Sequence, residues 1–230
     1  MNGVLRDAIR LLFFRLDAAG LASLGRRHLW LGFAATWLAG MGRYWDHPKA
    51  ELAQKLGLGS LAYIIVLALL LWCVLRPVVG PKAGYWNLLT FISLTSPPAW
   101  LYAIPVERFT DMDTAIMLNI WFLATVAAWR MALLLSFVRR NYQLGWWRVT
   151  VCCLLPITAI IFLLAVLNLE HVVFNIMGGL QSPRSPGDGA YDVIVFLAFL
   201  SFWLFPVLLV IWLWFVGRRL YQRRDSKLPG

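Results

Sequence analysis

The chain has 230 residues, 61% of them apolar and only 14% charged, with a mean hydropathy of +0.71. A soluble domain carries about 25% charged residues, and a core of this size could not hide so much apolar surface, which leaves an integral membrane protein. The net charge of +10 would suggest nucleic acid in a soluble chain, but no nucleic-acid motif accompanies it, and the cytoplasmic bias of Lys and Arg toward anionic lipid headgroups accounts for it.

Residues 4–19, VLRDAIRLLFFRLDAA, have the spacing of an amphipathic helix. Leu5, Ile9, Leu12 and Leu16 share one face while Arg6, Arg10 and Asp17 cluster on another, as in a helix lying in the headgroup layer. Arg26, Arg27 and His28 then lead into a first apolar segment, residues 29–42, of 14 uncharged residues. About 20 are needed to span, so this segment is a short span, a re-entrant turn or the apolar core of a signal peptide. The long preceding region and Trp30 and Trp37 argue against cleavage.

Asp46-His47-Pro48 reads as a helix start, and Glu51 and Lys55 as a supporting i,i+4 pair. Further apolar segments cover residues 60–75, 86–106, 114–138, 149–169 and 193–216. Pro156 and Pro206 predict kinks in the last two. Residues 170–192 contain GGLQSPRSPGDG, a loop composition, and Arg218, Arg219, Arg223, Arg224 and Lys227 form a basic tail. No internal repeat marks the inverted symmetry of many transporters.

Charge decides the topology. With six crossings and both termini cytoplasmic, 15 basic residues lie inside and five outside, with Arg130 within a span; if residues 29–42 do not cross, the split is ten to ten. The positive-inside rule favours six. The expected architecture is an all-α integral membrane protein. A cytoplasmic amphipathic segment (1–27) precedes a bundle of six transmembrane helices (28–217) and a basic cytoplasmic tail (218–230), in a bacterial-type inner membrane.

The third segment organises the rest. In WNLLTFISLTSPPAWLYAIPVERFTDMD, residues 86–113, Thr95, Ser96, Pro97 and Pro98 fall at mid-length. Two consecutive prolines remove two backbone donors and crowd the preceding turn, so the helix must break near Leu94 and resume near Pro97. Ser96 is placed to cap the second half. Carbonyls freed in hydrocarbon need partners from protein or enclosed water. Arg130 is the one basic residue well inside a span, about 12 Å along the helix from Val138. Asn119 lies about 20° from it on the same face. Together Thr95, Ser96, Pro97, Pro98, Asn119 and Arg130 make a candidate intramembrane polar centre; the plainer alternative is that Arg130 snorkels to the cytoplasmic headgroups.

Glu107, Asp111 and Asp113 form a candidate outer acidic cluster, which could gather cations or simply cap the fourth helix. Cys73, Cys152 and Cys153 lie in apolar runs without a CxxC pair and read as packed thiols. His47 and His171 show no ligand spacing, so no metal and no cofactor is expected. Residues 171–175, HVVFN, resemble one short element of the CAAX-type intramembrane proteases, whose paired-glutamate motif is absent here.

Two functions fit these features: a non-enzymatic subunit or scaffold of a membrane complex, with a protein partner in the membrane, or a small transporter or channel using the polar centre. An enzyme would have to draw its catalytic groups from scattered outer-loop residues. The charge count itself can be tested by thiol labelling. A cysteine introduced at Ser185 is expected to react with an impermeant maleimide applied from outside, and one at Ser226 to be spared; reaction at both contradicts six crossings.

Overall fold

The computed structural model describes residues 2–42, 45, 52–167 and 188–225. Among the described residues every regular element is helical: α1 (Asn2–Leu12), α2 (Ala18–Ala22), α3 (Arg26–Gly42), α4 (Leu52–Lys55), α5 (Leu58–Val79), α6 (Tyr85–Leu94), α7 (Met112–Tyr142), α8 (Trp146–Val166) and α9 (Asp188–Asp225). Three 3₁₀ segments, Gly80–Lys82, Pro97–Ala103 and Val106–Arg108, sit between them.

Four helical stretches are long and apolar enough to cross a membrane: Leu58–Lys82, Met112–Tyr142, Trp146–Val166 and Val195–Gln222. The first and third apolar segments do not reach that length as single α-helices. At 17 residues, α3 extends about 25 Å against about 30 Å of hydrocarbon. In the third segment the chain leaves the α-helix after Leu94, ahead of Pro97 and Pro98, and continues from Pro97 as a 3₁₀ helix. By contrast, α5, α8 and α9 carry Pro77, Pro156 and Pro206 inside continuous helices.

The expected helix over residues 4–19 is two pieces. Phe14 adopts a positive φ of 60°. Its N–H donates to Leu11 O (3.0 Å) and the Arg15 N–H to Arg10 O (2.7 Å), the bonding of a Schellman turn, which glycine normally occupies. Arg140 holds this strained turn, donating from Nη1 to Phe14 O (2.9 Å) and Leu16 O (3.1 Å). Asp17 then caps α2 through Gly20 N–H (2.9 Å). Ala8 and Leu11 of α1 are buried, while Leu5 and Ile9 remain exposed beside Arg6 and Arg10.

Contacts order the helices by direction. Gly32 meets Ser93 and Gly42 meets Ala103, so α3 and the third segment run parallel. Trp37 Nε1 donates to Leu56 O (2.8 Å) and Trp72 Nε1 to Ala83 O (3.1 Å), so α5 runs back between them. Trp212 Nε1 reaches Val74 O (2.9 Å) and Arg219 Nη1 reaches Pro77 O (2.9 Å), which sets α9 parallel to α5 and gives an end carbonyl of α5 the donor its own helix lacks. Arg148 lies over Phe215 and Phe162 stacks on Phe205, so α8 opposes α9. The helices therefore alternate, and Arg10, Arg27, Arg76, Lys82, Arg139, Arg148 and Arg218 share one end of the bundle. Arg108, Asp111 and Asp113 lie at the other.

The core is dense near the basic end. Phe91 stacks on Phe137 with centroids 4.0 Å apart, and Ala68, Leu71, Leu75, Leu88, Val138, Val149 and Cys152 around them are fully buried. The closest approach is glycine-dependent: a Cβ on Gly32 would stand 2.7 Å from Ser93 Cβ and 2.9 Å from Leu94 N. A backbone atom cannot give way, so Gly32→Ala is expected to lower stability by about 1–3 kcal/mol through overpacking. Gly59→Ala, in open space on α5, is expected to be neutral or slightly stabilising. Thermal melts of both variants in detergent check the contrast.

Candidate functional site

Among the described residues, buried polar side chains are most concentrated at the break in the third segment. Ser93, Thr95 and Ser96 are 0%, 3% and 3% exposed. Each hydroxyl has a protein partner: Ser93 Oγ donates to Thr90 O (2.8 Å) and Thr95 Oγ1 to Ile92 O (2.7 Å). Ser96 Oγ lies 2.7 Å from Thr36 Oγ1 of α3, whose hydroxyl is 2.8 Å from Gly32 O. Each hydroxyl has one proton; the arrangement that uses each once has Ser96 donating to Thr36 and Thr36 to Gly32 O. Pro97 has no N–H to return to Ser93 O. That carbonyl instead accepts from Ser96 N–H at 3.2 Å, with Thr36 Oγ1 at 3.4 Å beyond it.

The sequence points to the Asn119 and Arg130 face of the fourth segment as the partner of the break; in the structure the partner is α3. Among the described residues no hydrogen bond joins Asn119 or Arg130 to residues 93–96. Thr36 could have been found from sequence: Gly32, Thr36 and Gly40 form a small-xxx-small series, the spacing that lets two helices approach closely. Ser96 does precede the second half-helix, with proline at its first position, but its hydroxyl serves Thr36 and makes no bond to its own turn. Two indoles brace the same seam, Trp100 Nε1 to Ala35 O (3.1 Å) and Trp45 Nε1 to Ala103 O (3.0 Å).

Arg130 is half-buried and its guanidinium lies 5.9 Å from the Tyr63 ring centroid, a weak cation–π contact. Tyr63 belongs to the first turns of α5, at the end opposite the basic residues, so Arg130 does not extend toward the basic end. Asn119 is also half-buried. Between them on α7, Val126 packs with Ala39 and Ala99, an apolar contact that separates Arg130 from the break.

At the other end, Asp111 is the N-cap of α7. Its carboxylate accepts from Thr114 N–H (3.0 Å) and Thr114 Oγ1 (2.8 Å), and these bonds hold its pKa below the usual aspartate value. Such a cap contributes fully above the ordinary aspartate range and is lost as pH falls through the lowered value. Asp113 is exposed in the first turn, where a negative charge suits the helix dipole. Glu107 lies in the turn Val106–Arg108. Among the described residues no three His, Cys, Asp or Glu side chains are placed to hold a metal; His47 and residues 171–175 lie outside them.

No protein-family model, curated protein or solved structure matches the chain.

The Thr36–Ser96 pair generates a direct expectation. Thr36→Val keeps the shape but leaves the buried Ser96 hydroxyl without its acceptor, which costs about 1–3 kcal/mol, whereas Thr36→Ser retains the hydroxyl. Denaturant unfolding in micelles should separate the two variants, with Thr36→Ser close to wild type. Equal stability of Thr36→Val and wild type would show that the pair contributes nothing.

Proposed function

We propose that the chain is a multi-pass protein of an inner (plasma) membrane, with both termini cytoplasmic, that serves as a non-enzymatic subunit or scaffold of a membrane complex. In this reading residues 28–217 cross six times, with α3 and the broken α6 pair completing the four longer helices. The alternating helix directions and the gathering of basic residues at one end support that topology. Residues 1–27, with exposed Leu5 and Ile9 beside Arg6 and Arg10, rest in the cytoplasmic headgroup layer, and residues 218–230 extend the basic surface.

The observation that carries the functional reading is the saturation of the helix break. A transport site needs polar groups that exchange partners with a solute or water. Here the hydroxyls of Ser93, Thr95 and Ser96 are buried and bonded to protein. We therefore assign Thr95, Ser96, Pro97 and Pro98 to a structural junction. Arg130 and Asn119 become packing and anchoring groups of α7, Asp111 becomes a capping acid and Asp113 a solvated one. A bundle whose helix break is satisfied by its own side chains, with many large apolar residues exposed on its perimeter, suits association with another membrane protein.

The test is affinity purification of the tagged chain from its native membrane in mild detergent, paired with solute flux in proteoliposomes. A stoichiometric partner with no flux above empty vesicles is expected. Recovery of the chain alone, with ion or solute flux abolished by Arg130→Leu, would favour the transporter and overturn the assignment.

A further inference from the structure

At the basic end, the last turns of α7 meet the start of α8 and the strained Phe14 turn around a cavity of about 330 Å³. Phe14, Ala132, Ser136, Arg139, Arg140 and Trp146 line it. We propose that this cavity binds the headgroup of an anionic glycerophospholipid.

Four features of the site point to that ligand. First, it is cationic without compensation: among the described residues neither Arg139 nor Arg140 meets a carboxylate. Arg140 commits Nη1 to the Phe14 and Leu16 carbonyls; a guanidinium has five donors in a planar fork, so Nε and Nη2 stay available. Because its position is fixed by those two bonds, little freedom is lost when an anion is bound. Arg139 is held over the Trp146 ring at 4.3 Å, which leaves its N–H edge free to donate in the ring-parallel direction. Second, α8 begins at Trp146 with no side-chain cap on its first turn, so its unpaired N–H groups add to the positive potential on that side.

Third, the walls are amphipathic along one direction. The arginines and Ser136 lie at the helix end, and Ala132 lies toward the middle of α7. Beyond Ala132 the exposed residues at four-residue spacing are Ala128 and Ala124, a row of small side chains leading along α7 from the cavity. A free anion would use the first part and leave the second bare; a lipid uses both, with phosphate at the arginines and an acyl chain along the alanines. Fourth, the volume falls in the range of small-ligand sites, about 300–1,000 Å³, enough for a phosphate and glycerol but not for acyl chains, which must leave along that row. The site rests on α7 lying in a membrane and is independent of the scaffold assignment.

Native mass spectrometry of the full chain in neutral detergent, titrated with dioleoyl phosphatidylglycerol, dioleoyl phosphatidylcholine or inorganic phosphate, tests this. Wild type should retain one phosphatidylglycerol about tenfold more tightly than phosphatidylcholine, without displacement by millimolar phosphate. Arg139→Gln, which removes a guanidinium, and Ala132→Trp, which fills the cavity, both change exposed positions and should each weaken phosphatidylglycerol binding about tenfold. Arg218→Gln removes the same charge elsewhere at the basic end and should leave it unchanged. Equal retention of the two lipids, displacement by inorganic phosphate, wild-type binding in Ala132→Trp, or an equal loss in Arg218→Gln would each overturn the proposal.

Discussion

Backbone polarity in hydrocarbon is the constraint on which this structure depends. An unpaired carbonyl or N–H in the bilayer costs several kcal/mol, and Pro97 and Pro98 break the α-helical ladder where burial is nearly complete. Everything around the break follows from meeting that cost. Thr36 brings a hydroxyl to Ser96, Gly32 allows α3 close enough for it to arrive, and Ser93 O finds the Ser96 N–H in place of the missing proline donor. The parallel α3–α6 pair is the consequence, and neither member is long enough to be stable alone in the way that α5, α7, α8 and α9 are.

The same logic recurs at the helix ends and turns. Pro77 O accepts from Arg219, Val74 O from Trp212 and Ala83 O from Trp72. At the Phe14 turn, Arg140 from α7 reaches two carbonyls more than 120 positions away in sequence. Long side chains at the basic end thus work twice, as charge and as donors to backbone carbonyls of neighbouring segments. A concentration of arginine that looks like a simple topology signal is also part of the packing, and what is left of its hydrogen-bonding capacity faces a cavity.

Much of this was legible in the residues. Hydropathy marked the four long helices and the proline pair marked the break to within a residue, while the acids before the fourth helix pointed to a cap there without singling out Asp111. What failed to appear was long-range and depended on packing. The face shared by Asn119 and Arg130 suggested a polar partner for the break, but Val126 lies between them and meets Ala39 and Ala99. Helical periodicity places residues on a face and says nothing about which neighbour that face meets. Thr36 was discoverable only by reading Gly32, Thr36 and Gly40 as a contact stripe, a signal masked by the segment's marginal length. The Phe14 turn has no local warning at all, since the left-handed conformation is disfavoured for phenylalanine and is maintained by a residue on α7.

The central claim is that the break is dry and closed by α3. Accessibility of a thiol at Ser96 tests it most directly. With Cys73 replaced by serine, Ser96→Cys in intact membranes should resist small, charged thiol reagents applied from either side, while Ser96→Cys combined with Thr36→Cys should cross-link under mild oxidation. Rapid modification of the Ser96→Cys thiol from one face, with no cross-link in the double variant, would show water where the account places α3.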